Sequence, residues 1–405
     1  MKSVEVTDLG TIFQNVTISA MNLDSLDGKR PTWAEVDLNR LDGNFLALRR
    51  FLPGHVKIVA VIKADAYGHG AIPVARRLTK LGVDMLAVAI LEEAMAIRHA
   101  GIRCPVLLLN GFWPGQEHEI IRYELTPAIY RLQLLDQLEQ AASRAKRSVA
   151  YHLKINTGMS RLGVELEEAL VFLQRGAKSS WTRCEGLYTH LSSAEDSQSR
   201  SNEAQIGRFR TILTFAEQSG IRVGWRHAAN SAGILNLKES WFDAVRPGLV
   251  LYGINPLPTP AVELSINPVL TWKTRVMQVR SIKSGSAIGY GDTYTVSRDS
   301  VIAALPVGYT DGLLRSLSNR GQVIIQGRQA PIVGTISMDL TLIDVTQITS
   351  PQVGDEVVLI GKQGDREIRA EEVGRLAGTI PYEILCRIGS RVPRIYIDDS
   401  GSSQI

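Results

Sequence analysis

Lys63 closes the apolar run KIVAVIK (57–63) and leads directly into ADAYGHG. An ammonium at the carboxyl end of a buried strand is costly, and desolvation lowers a lysine's pKa. An amine kept neutral in this way attacks aldehydes, so a Schiff base with an aldehyde cofactor is reasonable chemistry here. Tyr67, Gly68 and Gly70 follow at once, a small-residue turn carrying a phenol that suits a phosphate held by backbone and hydroxyl. The bland alternative is a lysine snorkelling from a strand edge. A second cation stands in YHLKIN (151–156), where a period of two puts His152, Lys154 and Asn156 on one face, with Arg161 just beyond. Two neighbouring buried cations repel, and a shared anion or water would relieve them.

The elements that would position these groups repeat along the chain. Eight short apolar runs read as strands: 57–63, 85–90, 105–110, 125–130, 149–156, 185–190, 224–229 and 242–248. Helical stripes lie between them, as in Ala71 to Leu81, where Val74, Ala75, Leu78 and Leu81 share a face and Gly82 can end the helix. Leu91 to Ala100 repeats the pattern and stops at Gly101. Eight β-then-α units predict an α/β fold, a TIM-type (β/α)8 barrel, which places Lys63 at the carboxyl mouth where such barrels keep their chemistry. After Tyr252 the texture changes. A proline-rich connection (255–268) leads into alternating runs at 271–282, 300–308, 321–327, 341–345 and 354–361, with one helical stretch from Ala370 to Cys386. These predict a mainly antiparallel β domain. The expected division is an N-terminal arm (1–30), the barrel (31–262) and the β domain (263–405).

Composition narrows the class. With 45 Lys+Arg against 41 Asp+Glu the net charge is +4, and no basic run is present; nucleic acid and anionic membranes are not expected partners. At 44% hydrophobic residues the chain can bury a large core. The longest uncharged stretch, Pro247 to Val262, is interrupted by Gly and Pro, so no transmembrane helix is expected. Glu5 and Asp8 near the start argue against a secretory signal. Cys104, Cys184 and Cys386 are odd in number and far apart, a pattern that suits a reducing cytoplasm and offers no cysteine-based metal site.

KADAYGHG resembles the pyridoxal-phosphate lysine motif of bacterial alanine racemases. The resemblance continues, in order, through HLKINTGMSRLG (152–163), GLYTHLSSAED (186–196), HAANSAG (227–233), VRPGLVLYG (245–253), IGYGDTYT (288–295), LPVGYTDGL (305–313), VGTISMDL (333–340) and IPYEILCRIGSRVPR (380–394). It implies a barrel followed by a β domain, pyridoxal 5'-phosphate as cofactor, L- and D-alanine as substrates, and a homodimer with shared active sites. By this resemblance Lys63 binds the cofactor aldehyde and then serves as one base. Tyr290 is the second base, on the opposite face, with His190 beside it and Arg246 facing the pyridine nitrogen. The phosphate falls to Tyr67, Ser231, Gly248, Leu249 and Tyr382, with Asn230 adjacent. Arg161 approaches the cofactor phenolate and the substrate carboxylate, the Met338 amide meets that carboxylate, and Asp339 orders the Met338 loop. Lys154 matches a lysine that the family carbamylates. Asp65 stands where Asn is more usual and Ser337 where Cys often is; the first thirty residues match nothing in the family.

Other readings compete. A racemase of broader scope, acting on serine or basic amino acids, belongs to relatives that tend to be exported and disulfide-bearing. Decarboxylases of the same plan need a late catalytic cysteine, and Cys386 in YEILCRIG reads as helix core. A non-catalytic pyridoxal-phosphate carrier would lack the β domain that holds Tyr290.

Overall fold

A computed structural model describes residues 28–257 and 264–398. The arm expected over 1–30 lies outside the described residues except for its last three, as does the middle of the proline-rich connection.

The first described strand, β1 (Thr32–Asp37), precedes the barrel. The eight expected barrel strands are all present: β2 (Lys57–Val61), β3 (Met85–Val88), β4 (Val106–Leu108), β5 (Thr126–Ile129), β6 (Val149–Lys154), β7 (Thr182–Tyr188), β8 (Trp225–His227) and β9 (Ala244–Val245). They pair in parallel, each with the next, and β9 closes on β2. Each is shorter than its apolar run or shifted along it, because the run continues into the loops that form the mouth. The helices Ala71–Lys80 and Leu91–His99 stand where their stripes predict, burying Val74, Ala75 and Leu78 in one and Leu91, Ala94 and Ile97 in the other. The helix Leu38–Phe51 starts on Asp37, whose carboxylate accepts from the Asn39 and Arg40 amides, and seats Leu41, Phe45 and Leu48 in the core. No helix among the described residues is long and apolar enough to cross a membrane.

The second domain is built from β10 (Leu270–Arg275), β11 (Gln278–Ile282), β12 (Ala287–Ile288), β13 (Tyr294–Thr295), β14 (Ser300–Leu305), β15 (Gln322–Ile325) and β16 (Arg328–Pro331). It continues through β17 (Thr341–Asp344), β18 (Glu356–Gln363), β19 (Arg366–Ile368) and β20 (Arg394–Ile397). Apart from the parallel β1–β20 pair, its ladders are antiparallel. The run 271–282 does not stay in one sheet. At Val276 and Met277 the backbone bonds pass to Asp355 and Ala304, and the chain crosses from the sheet of β10 to the sheet of β11, β14 and β17. The helical stretch 370–386 is two helices, Ala370–Ala377 and Pro381–Cys386, separated where Gly378 turns left-handed. β1 falls in the span expected for the barrel, yet it lies between β10 and β20 and so completes the β-domain sheet.

The turn after β2 decides where Lys63 points. Ala64, Asp65, Ala66 and Tyr67 all have φ between 52° and 55°, a left-handed turn without glycine. Each such residue costs about 1–2 kcal/mol, so tertiary bonds must hold it. The Ala64 amide donates to Glu93 Oε1 at 2.6 Å, Ala71 N–H to Asp65 Oδ1 at 2.6 Å, and Arg394 Nε to Gly68 O at 3.0 Å. Buried His69 closes the turn from within, its Nδ1 2.9 Å from Ala66 O.

Candidate active site

The barrel mouth gathers Lys63, Lys154, Arg161, His190 and Arg246, residues spread over 184 positions of sequence. Burial lowers the Lys63 pKa and Arg161 adds to it, while Glu93 and Cys386 pull the other way. Lys154, only 6% exposed, lies with Nζ 5.5 Å from the centre of the Tyr188 ring. Burial first, then Arg246, Arg161 and Lys63, bring its pKa down to about 7. The buried pair expected from β6, Lys154 with Arg161, is not what forms: Arg161 is exposed, and the buried cation that acts most on Lys154 is Arg246.

Arg246, 3% exposed, is used almost to its limit. Nη1 donates to His227 Nδ1 (2.9 Å) and His227 O (3.1 Å); Nη2 donates to Thr189 O (2.8 Å), Ala228 O (3.0 Å) and His190 Nδ1 (3.2 Å). Only the Nε–H has no partner among the described residues. Even with burial lowering its pKa to about 10, the guanidinium keeps its charge at neutral pH.

These contacts fix tautomers. His190 accepts at Nδ1, so its proton sits on Nε2; burial and the cation cluster hold its pKa well below the ordinary value. His227 likewise accepts at Nδ1 and donates from Nε2 to His152 Nδ1 at 2.9 Å. The His152 proton then lies on Nε2, with Glu185 Oε2 at 3.9 Å. A one-way chain of donors thus runs from Arg246 into the barrel core. His227 stands in HAANSAG and His152 on the Lys154 face, yet neither has a sequence signature that separates a relay from a packed histidine.

The turn that begins at Lys63 also borders a cradle, through Tyr67. A Cβ on Gly248 would lie 2.6 Å from Tyr67 Oη, so only glycine leaves this approach open. The Ser231 hydroxyl accepts the Gly248 amide at 2.9 Å. The Leu249 amide and the hydroxyls of Tyr67 and Tyr382 have no partner among the described residues. Burial raises the pKa of both phenols, which keeps them as donors. Asn230 caps the short helix Ser231–Asn236 by accepting from Gly233 N–H at 2.9 Å, and so positions Ser231 beside the cradle. Tyr382 reaches the barrel mouth from the β domain of the same chain, its ring 5.6 Å from that of Tyr67.

Tyr290 and Met338 do not join this cluster. Tyr290 is 73% exposed on a tight turn whose Gly289, Gly291 and Asp292 are left-handed; Thr335 Oγ1 donates to its carbonyl at 2.9 Å. Met338, 52% exposed, lies with Asp339 in a loop clamped by Thr310 and Arg391 at 2.7 Å each, and its amide is unpartnered among the described residues. The sequence reading also passed over Glu93, an ordinary first-turn acid on its helix until the fold sets it against Ala64.

Comparison with known proteins agrees with this two-part plan. Residues 36–256 match the alanine racemase N-terminal domain and residues 269–396 its C-terminal domain. An alanine racemase of Halothermothrix orenii is 43% identical over 92% of this chain and 98% of its own. The alanine racemase structure of Clostridium difficile 630 superposes with a TM-score of 0.86 at 32% identity, covering 92% of this chain and 97% of the other. That from Bartonella henselae, which carries covalently bound pyridoxal phosphate, gives 0.82 at 31%, covering 91% and 99%. With both domains matched in order and identity above 40% along nearly the whole length, the chain belongs to the alanine racemase family of isomerases.

Proposed function

We propose that this chain interconverts L- and D-alanine with pyridoxal 5'-phosphate, as a cytoplasmic homodimer with shared active sites supplying D-alanine for peptidoglycan. The observation that carries the reading is the barrel mouth itself: it holds a lysine of lowered pKa, a buried arginine with one donor to spare, and a cradle in which a side chain on Gly248 would meet the Tyr67 hydroxyl. When bound, pyridoxal phosphate supplies the electron sink that acidifies the α-hydrogen of an amino acid. Tyr67, Tyr382, Ser231, Gly248 and the Leu249 amide would hold the phosphate, and the Arg246 Nε–H would face the ring nitrogen. A guanidinium only donates, so it keeps that nitrogen unprotonated, weakens the sink and favours prompt return of a proton to Cα.

Arg161 and the Met338 amide hold the substrate carboxylate. Lys63 Nζ lifts or returns the α-proton on one face and Tyr290 Oη on the other, because one base reaches only one side of a planar centre. His190, held from behind by Arg246, would present its Nε2–H to the Tyr290 oxygen and so orient it. The three cysteines are free thiols, which fits the reducing cytoplasm. Enantiomers have equal free energy, so the reconstituted protein given pure L-alanine should end near an equal mixture by chiral analysis. Serine, lysine and arginine should turn over far more slowly. A pool that stays L would overturn the assignment.

Lys154 completes the site as a carbamate. With its pKa near 7, about half of it is the neutral amine at pH 7. That amine adds to carbon dioxide and releases one proton, leaving an anion between Arg161 and Arg246. In 13C-bicarbonate the protein should show a carbamate resonance that fades below pH 7, as the ammonium forms, and is missing in Lys154→Ala. Without that resonance in the unaltered protein, a shared anion or water neutralises the pair instead.

A further inference from the structure

We propose that Glu93 is a positioning residue for Lys63: its carboxylate fastens the left-handed turn that aims the lysine and supplies the negative charge that balances it. Three observations meet here. Glu93 Oε1 accepts the Ala64 amide, adjacent to Lys63, at 2.6 Å, while Oε2 accepts the Ala89 amide at 2.8 Å and the Ile90 amide at 3.4 Å. One side chain therefore ties the loop after β3 to the turn after β2. The turn it fastens holds four successive residues in the left-handed region, none of them glycine, so it depends on such bonds.

Charge gives the third observation. Lys63 is faced by Arg161 beyond β6 and Cys386 on the last helix; Lys154 on β6 and half-buried His190 after β7 are the other basic groups that sense it. Asp65, on the turn itself, is engaged with the Ala71 amide. Glu93 is the only carboxylate among the described groups that act on Lys63, and it favours the ammonium against burial and Arg161. Without it the amine would stay neutral and could take a proton, but would hold one poorly. A lysine that must do both in alternate directions of a racemisation needs the counter-charge, and in that respect the inference rests on the proposed function.

Two variants separate the roles. Glu93→Gln keeps an oxygen acceptor for Ala64, gives up the bond to Ala89 because its NH2 cannot accept, and removes the charge; Glu93→Ala removes every one of these. Competitive acetylation of the cofactor-free full chain across pH, read at Lys63 by mass spectrometry, measures the lysine's midpoint without substrate. In both variants it should fall by about one unit, the effect of losing a nearby opposite charge. Affinity for pyridoxal phosphate, by absorbance titration, should drop about tenfold in Glu93→Ala, the loss of one charge-assisted bond to the turn. It should stay within about twofold of the unaltered protein in Glu93→Gln. An unchanged Lys63 midpoint in Glu93→Gln, with its circular dichroism intact, overturns the proposal. The titration involves no alanine, so a chain that failed to racemise alanine would count against the proposed function and not against the Glu93–Lys63 pairing.

Discussion

Tyr290→Phe should leave the fold and cofactor binding intact while exchange of the L-alanine α-proton in deuterated water falls by about 10²–10⁴-fold, the usual worth of a general base. On the proposed mechanism D-alanine should still exchange, since there Lys63 alone lifts its proton. The structural cost of the change is small. The ring is 73% exposed and its hydroxyl has no partner among the described residues; the turn is held through the backbone, by Thr335 on the Tyr290 carbonyl. Lys63→Ala differs in kind: on the proposed mechanism it removes both a base and the amine that anchors the cofactor, and both enantiomers should stop exchanging. The asymmetry between the two variants is the signature of one base per face. If L-alanine exchanges at the unaltered rate in Tyr290→Phe, the phenol is not the base.

The barrel was legible because its signal is local. Each strand is a short apolar run, each helix a stripe, and Lys63, Arg161 and Arg246 stand in motifs readable without a fold. What escaped depends on partners distant in sequence. TWAEVD (32–37) has no distinctive run, and it is a strand because β10 and β20 meet it on either side. The run 271–282 looks uniform, yet at Met277 the backbone bonds with Ala304 and changes sheets. Of the four left-handed residues after Lys63 only Asp65 leans toward that region; bonds from Glu93, Arg394 and His69 impose it on the others. Candidate site residues were legible as types in motifs, but their roles were not all visible. Asn230 turns out to cap a helix, and Glu93 reads as a first-turn acid until its distance to Ala64 is known.

Mixing two damaged chains should restore activity that neither has alone. The β domain of each chain covers its own barrel mouth with Tyr382, whose ring reaches Tyr67 at 5.6 Å, but it leaves Tyr290 and Met338 on an exposed face. That face continues into an apolar groove where Met277, Leu340 and Val353 are exposed beside Asp339. Exposed apolar surface next to an unfinished site is what a second copy would cover. In a two-fold dimer the same contact is made twice, so each barrel mouth would receive Tyr290 and Met338 from the other chain. Co-express one chain carrying Lys63→Ala with another carrying Tyr290→Phe, each inactive as a homodimer. In the isolated mixed dimer one site then has both lesions and the other has neither, and site counting predicts about half of the unaltered activity. Were both bases to come from one chain, every site would keep one lesion. A mixed dimer with no activity would therefore defeat the shared site, whatever the fate of the two-base assignment.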